Sequence, residues 1–324
     1  MSNTDFPNNA VAAAICGEAR PLKIAVVGAG AIGAYYGCRL AHAGHDVRFL
    51  LRSDLDAVRQ NGFQITAPDL AFRLHTVQAF ATTAEIGTSD LVIIALKTTA
   101  NARFGELLPP LDNGKTIFLT LQNGMGNTEA LAQLFGAERV TAGLCFVCVN
   151  RVAAGVIENY ELGNIRFAEA LGAATPRTRA LVELFAPTGG DCKTVDSLER
   201  ALWTKLCWNI PFNGLAIAGG GITTDRILAS PPLRELVLGL TREVQAAAAA
   251  FGVQISDRHI ESQISSAREM GAYKPSSLID FLAGRPVETE AIWGEPLRRG
   301  QSKGVAMGRL ECLFALLQHL TNRS

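Results

Sequence analysis

The sequence predicts an α/β domain followed by an all-helical domain. Three observations carry this reading: a glycine-rich turn between a short apolar strand and a helix, a regular alternation of strand and helix signals as far as Val195, and the end of strand signals beyond it. With 324 residues the chain is long enough for two separate cores. We read residues 1–21 as a loose extension, 22–196 as the α/β domain and 197–324 as the helical domain.

Residues 23–28 (KIAVVG) form a β-branched apolar run, residues 31–43 follow at helical spacing, and residues 46–51 supply a second strand, which completes a βαβ unit. Further strands are expected at 62–66, 75–80, 91–96, 116–121, 140–149 and 165–168, with helices near 102–107, 128–134 and 176–185. Such alternation predicts a largely parallel sheet covered by helices. After Val195 only helices are expected, at 198–212, 230–251, 257–270, 286–299 and 307–320. There is no internal repeat and no low-complexity tract beyond the Ala246 to Ala250 run.

Composition excludes several classes of function. Charged residues make up 19% of the chain at a formal net charge of zero, so the basic excess needed to neutralise nucleic-acid phosphates is missing. The longest uncharged stretch, 206–224, contains Asn209, Pro211, Asn213 and three consecutive glycines, which suits a buried helix and a turn better than a membrane span. Seven scattered cysteines do not make the even, dense pattern of a secreted disulfide framework. Cys145 and Cys148 form one C-x-x-C, but on a strand residues three apart face opposite sides, so a structural role is expected and no metal is called for. The N-terminus lacks the basic segment of a secretory signal, and a cytoplasmic location is expected.

The turn Gly28-Ala29-Gly30-Ala31-Ile32-Gly33 closes the first strand and opens the first helix, so its G-x-G-x-x-G spacing stands in the context of a dinucleotide fingerprint. Gly28 permits the tight turn, Gly30 lets the backbone approach a pyrophosphate, and Gly33 lets helix and strand pack closely. The helix N-terminus supplies N–H donors and a positive dipole end. The first domain is therefore read as Rossmann-type and doubly wound. An acidic residue near the end of the second strand would hold a ribose 2′-hydroxyl and favour NAD; here the strand ends in Arg52, whose guanidinium suits a 2′-phosphate. NADPH is the expected cofactor, with Asp54 nearby arguing the other way.

A reductase of this type delivers a hydride to a carbonyl carbon and a proton to its oxygen, so it needs a placed acid. The five histidines, His42, His45, His75, His259 and His319, lack a partner motif. The helix containing Leu202-Trp203-Thr204-Lys205-Leu206-Cys207-Trp208-Asn209 is apolar almost all round, which marks it as buried. Lys205, Asn209 and Asn213 interrupt it at intervals of four and so share one stripe. Desolvation lowers the pKa of a buried lysine, which makes its ammonium a better proton donor near neutrality. A second cluster runs from Ser276, Ser277 and Asp280 to Pro286, Glu288 and Glu290. Pro286 suits a helix start, with both glutamates in the first turn and Ser277 with Asp280 free to cap.

Taken together these residues resemble the ketopantoate reductase (2-dehydropantoate 2-reductase) family over nearly the whole chain from Lys23. The likeness rests on the GAGAIG turn, Lys97 in IIALKT, Asn123 in LQNGMG, the LWxKLxxNxxxN helix and the Ser276 to Glu288 segment, which keeps the family's twelve-residue interval when Ser276 is matched. The resemblance implies NADPH-dependent reduction of 2-dehydropantoate to pantoate, a step towards pantothenate and coenzyme A. Lys205 would be the general acid and Glu288 its partner in the catalytic set. Asn123, Asn209, Asn213 and Ser276 would bind the substrate, and Lys97 and Asn123 would lie beside the cofactor. Lys97 and Asn123 each follow a predicted strand, at the carboxyl edge where α/β sheets bind ligands. Two departures from the family pattern, Pro211 within the helix and Trp293 before a matched glycine, are expected to bend the helix and reshape the pocket. A reductase of another branched keto acid, or an idle NADPH-binding sensor, are the alternatives; the sensor would be signalled by loss of Lys205 or Glu288, and both are present. Size suggests a homo-oligomer.

Overall fold

The computed structural model describes residues 8–17 and 20–322. Twelve strands lie among them: β1 (Lys23–Val27), β2 (Asp46–Leu50), β3 (Phe63–Thr66), β4 (Ala71–Leu74), β5 (Gln78–Phe80), β6 (Leu91–Ile94), β7 (Ile117–Thr120), β8 (Val140–Phe146), β9 (Val149–Ala153), β10 (Val156–Asn159), β11 (Asn164–Glu169) and β12 (Asp191–Thr194). The chain divides into two compact units, residues up to Gln122 with Asn127–Leu198, and Asn123–Gly126 with the residues from Glu199 on.

In the first unit an eight-stranded sheet has the order β12-β11-β8-β7-β6-β1-β2-β5, parallel throughout except where β11 runs against β8. Successive residues of its central strands sort to two faces. Ile24, Val26, Leu91 and Ile93 enter one apolar core, while Ala25, Val27, Val92 and Ile94 enter another. Burial on both faces is why these strands read as unbroken apolar runs. The chain builds outward from β1 on one side and from β6 on the other, so the strand order reverses between them, and the carboxyl ends of β1 and β6 form the topological switch point.

A second sheet, β4-β3-β10-β9, was not signalled in the sequence. β9 carries no apolar face for pattern to reveal; β4 turns only Phe72 and Leu74, and β12 only Cys192, half-buried against the first core, alternations too short to stand out. The expected single strand at 140–149 is in fact two, with β8 ending at Phe146 and β9 beginning at Val149. Cys145 thus lies on β8 and Cys148 in the link, where the strand-alternation argument does not reach. Neither is in a disulfide. The expectation of a loose extension also fails over Asn8–Cys16, which is helical. Val11, Ala12 and Ile15 fall on one face of it and are buried in the first core, against the Pro176–Phe185 helix. The rest of that reading, at 1–7 and 18–19, lies outside the described residues.

The second unit is helical. Its long helix, Leu198–Ala218, passes through Pro211 without breaking. Proline has no N–H for the Cys207 carbonyl; instead the Thr241 hydroxyl, which also donates to Val237, stands 3.3 Å from that carbonyl on the neighbouring Pro231–Ala250 helix. Asp257–Glu269 and Gly308–Thr321 appear as expected, and Thr224–Ala229 and Ser276–Leu282 are short helices that the sequence reading missed. The segment expected to start a helix at Pro286 stays irregular as far as Glu288 and then forms a π-turn, Glu290–Gly294, before the helix Glu295–Ser302. Glu295 N–H bonds to the Glu290 carbonyl five residues back, and Pro296 next to it has no N–H with which to restore regular spacing. Among the described residues no helix is long and apolar enough to cross a membrane.

Candidate active site

At the switch point of the first unit, Gly28 has φ of +98°, and a Cβ there would lie 2.5 Å from Leu96 N. A Cβ on Gly33 would lie 2.2 Å from the Gly28 carbonyl oxygen. Both glycines are demanded by backbone contact. At Gly30 the position of a Cβ meets nothing within 4 Å, and Gly30 heads the Ala31–His42 helix without any side chain capping it. A helix start with uncapped first-turn N–H groups and open space beside its first glycine is the arrangement that accepts a pyrophosphate, so the turn fits a dinucleotide. The sequence reading overlooked Gly37, where a Cβ would fall 2.5 Å from the Phe49 ring; four residues after Gly33, it seats the same helix on the sheet.

Arg52 is exposed just past the buried Leu51 at the end of β2. Asp54 is only 5% exposed and lies against Arg151 of β9, whose Nη1 stands 2.5 and 2.6 Å from its two carboxylate oxygens; the Ser53 hydroxyl donates to it as well. Lys97 is exposed at the carboxyl end of β6, immediately after the Leu96 backbone that abuts Gly28. Gln122 ties this edge together. Its amide donates to the Leu96 carbonyl (2.9 Å) and to Asn101 (2.8 Å), and Asn101 in turn donates to Asn127 (2.8 Å). Arg151 and Gln122 both escaped the sequence reading. Gln122 stands inside the LQNGMG motif, whereas nothing local marks Arg151.

In the second unit Lys205 is 8% exposed, and its Nζ donates to Asn123 Oδ1 at 2.9 Å. Asn209, one turn on, is half-buried. Asn213 is buried, and its side-chain oxygen accepts the Ser277 N–H at 3.0 Å. This bond joins the polar stripe to the start of the Ser276–Leu282 helix, on which Ser276 is exposed and Ser277 buried. Asp280 pairs with Arg285 (2.9 Å) and does not cap with Ser277. The two glutamates part company: Glu288 is 5% exposed, whereas Glu290 is at the surface with Arg298 (2.9 Å). Gly124 has φ of +78°, a Cβ on it would strike the Ala291 carbonyl oxygen at 2.3 Å, and Met125 N–H bonds that same oxygen at 2.9 Å. Asn123 is thereby held against the π-turn that begins two residues after Glu288. Trp293, expected to line the pocket, is wholly buried in the helical core, where its indole N–H donates to the Ile210 carbonyl at 2.9 Å. Its ring fills space that the core would otherwise leave empty.

A dinucleotide turn at a parallel-sheet switch point and a buried lysine held by an asparagine amide define a nicotinamide-dependent oxidoreductase. The family model described as ketopantoate reductase PanE/ApbA matches residues 24–172, and the model of its C-terminal part matches residues 197–321. The chain is 38% identical to a 2-dehydropantoate 2-reductase of Nostoc sp., over 93% of this chain and 96% of the relative. It is also similar to the crystal structure of a 2-dehydropantoate 2-reductase from Geobacter metallireducens (45% identity, TM-score 0.89, 91% of this chain and 99% of the other). A third likeness is to the enzyme of that name from Methylococcus capsulatus (32% identity, TM-score 0.85, 93% and 98%). The chain belongs to the ketopantoate reductase family.

Proposed function

We propose that this chain reduces 2-dehydropantoate to pantoate with NADPH. The observation that carries the reading is the 2.9 Å bond from Lys205 to Asn123, made on a largely apolar helix. A lysine buried at that depth needs a partner, and the Asn123 amide oxygen accepts one of its N–H groups.

Gly28 to Gly33, Arg52 and Lys97 would hold NADPH, which when bound would supply the hydride for the C2 carbonyl carbon. The carbonyl oxygen takes its proton from the Lys205 ammonium, and the keto acid leaves as the 2-hydroxy acid. Asn123 aims the ammonium. Asn209 and Ser276 hold the polar groups of the keto acid, and Glu288 accepts a hydrogen bond from a substrate hydroxyl. Asn213 acts at one remove, by fixing the backbone of Ser277 and with it the place of Ser276. The protein is taken to be a cytoplasmic homo-oligomer.

The test is NADPH oxidation with 2-dehydropantoate and a panel of branched 2-keto acids. We expect the highest kcat/KM for 2-dehydropantoate. Another keto acid preferred by tenfold or more would assign the chain to a sibling reaction, and no turnover with any of them would return it to the NADPH-binding sensor.

A further inference from the structure

Asp54 raises an electrostatic problem. A carboxylate two residues beyond the arginine that is to receive a 2′-phosphate repels that phosphate and competes with it for the guanidinium, since charges this close lie within a Debye length of about 8 Å. Yet the chain keeps an aspartate here and buries it.

The second sheet resolves the conflict. Arg151 comes from β9 and contacts both Asp54 oxygens, and Ser53 Oγ adds a third bond at 2.8 Å. Gly155, in the turn between β9 and β10, adds a favourable backbone contribution to the ionised carboxylate. Burial pushes the Asp54 carboxyl up, but Arg151, Ser53 and Gly155 together outweigh it and hold the group below the usual aspartate value. Asp54 is therefore ionised and its charge is met from the side of β9. Arg52, by contrast, is exposed.

We propose that Arg151 is a positioning residue for cofactor choice: by pairing with Asp54 it leaves the Arg52 guanidinium to the 2′-phosphate and so sets the preference for NADPH over NADH. The proposal rests on the NADPH reading given above. It assigns a function to the β9–β10 hairpin, which otherwise only extends a small sheet.

The test is titration of each cofactor against the full chain, followed by fluorescence, with thermal unfolding to confirm folding. Arg151→Met is expected to raise the Kd for NADPH about tenfold and that for NADH less than twofold, because only the 2′-phosphate meets the released carboxylate. Arg151→Lys restores a cation and should keep the preference. Asp54→Asn should hold or tighten NADPH binding, and Arg151→Met combined with Asp54→Asn should return the NADPH Kd to within about threefold of wild type. Equal weakening of both cofactors in Arg151→Met, or no recovery in the double variant, overturns the proposal; so does a loss of NADPH binding in Asp54→Asn, which settles the matter even if Arg151→Met does not fold. A wild type that binds NADPH and NADH equally overturns the NADPH reading itself, whereas a wild-type preference that survives Arg151→Met overturns the role of Arg151 alone.

Discussion

Lys205 is the residue on which the proposed chemistry depends. Its replacement by alanine removes a placed proton donor, an effect on the order of a hundredfold to ten-thousandfold in rate. We expect kcat to fall in that range while the Kd for NADPH moves less than twofold, since the dinucleotide turn belongs to the other unit. A variant that keeps more than about a tenth of wild-type kcat on its best keto acid would exclude Lys205 as the acid and direct attention to Glu288. Arg52 is tested in the binding experiment. Arg52→Ala should weaken NADPH roughly tenfold or more and leave NADH nearly unchanged, because the guanidinium meets only the 2′-phosphate; equal losses for both would refute that role.

At the scale of elements, the Leu198–Ala218 helix shows how packing overrides a local rule. Pro211 predicts a kink that would displace Asn213, yet the helix continues and Asn213 reaches Ser277. The neighbouring Pro231–Ala250 helix brings Thr241 to the carbonyl that proline leaves without its N–H, and Trp293 adds a donor to Ile210. Trp293 therefore works as a core residue, and Trp293→Asn should lower stability by about 3–5 kcal/mol through loss of a large buried ring and burial of an amide in its place. Denaturant unfolding measures this directly. A stable variant with altered keto acid preference would show that the indole shapes the substrate pocket after all.

For the whole molecule, pH is the clearest lever. Burial lowers the pKa of His45 and of His259 below the ordinary 6.5, so the folded state binds fewer protons than the unfolded one just below that value. Their stabilising contribution is present above pH 6.5 and is lost as the pH falls through the lowered values. Asp69 adds a second limb. Hydrogen bonds from Arg39, at 2.6 and 2.9 Å, hold its carboxyl below the ordinary 3.8, so its contribution is present above that pH and is lost below it. Tm should therefore decline as pH drops from about 6.5 and decline again below about 4, and His45→Gln should flatten the first limb. A Tm constant between pH 7 and 5 would contradict this account of the two histidines.

The dinucleotide turn and the polar stripe were legible because each is local. G-x-G-x-x-G answers to backbone contacts made within one strand–turn–helix, and Lys205, Asn209 and Asn213 share a face through helical period alone. The two-part organisation was legible for a related reason: strands buried on both faces are apolar throughout, and a chain that loses such runs after Val195 has no further sheet to build. Sequence reading failed where the deciding contact spans many residues. Asp54 and Arg151 are 97 positions apart and Ser277 and Asn213 are 64 apart, while Pro211 depends on Thr241 and Glu288 is set apart from Glu290 by the late start of its helix. A strand such as β9 has no apolar face and forms because a neighbour pairs with its backbone hydrogen-bonding groups. Periodicity and local turn chemistry act within a few residues and determined the fold class, the cofactor turn and the position of the lysine. The pairing that holds Asp54, the depth of Trp293 and the anchoring of Ser276 were decided only by tertiary structure, because each depends on which distant group the fold brings within hydrogen-bond distance.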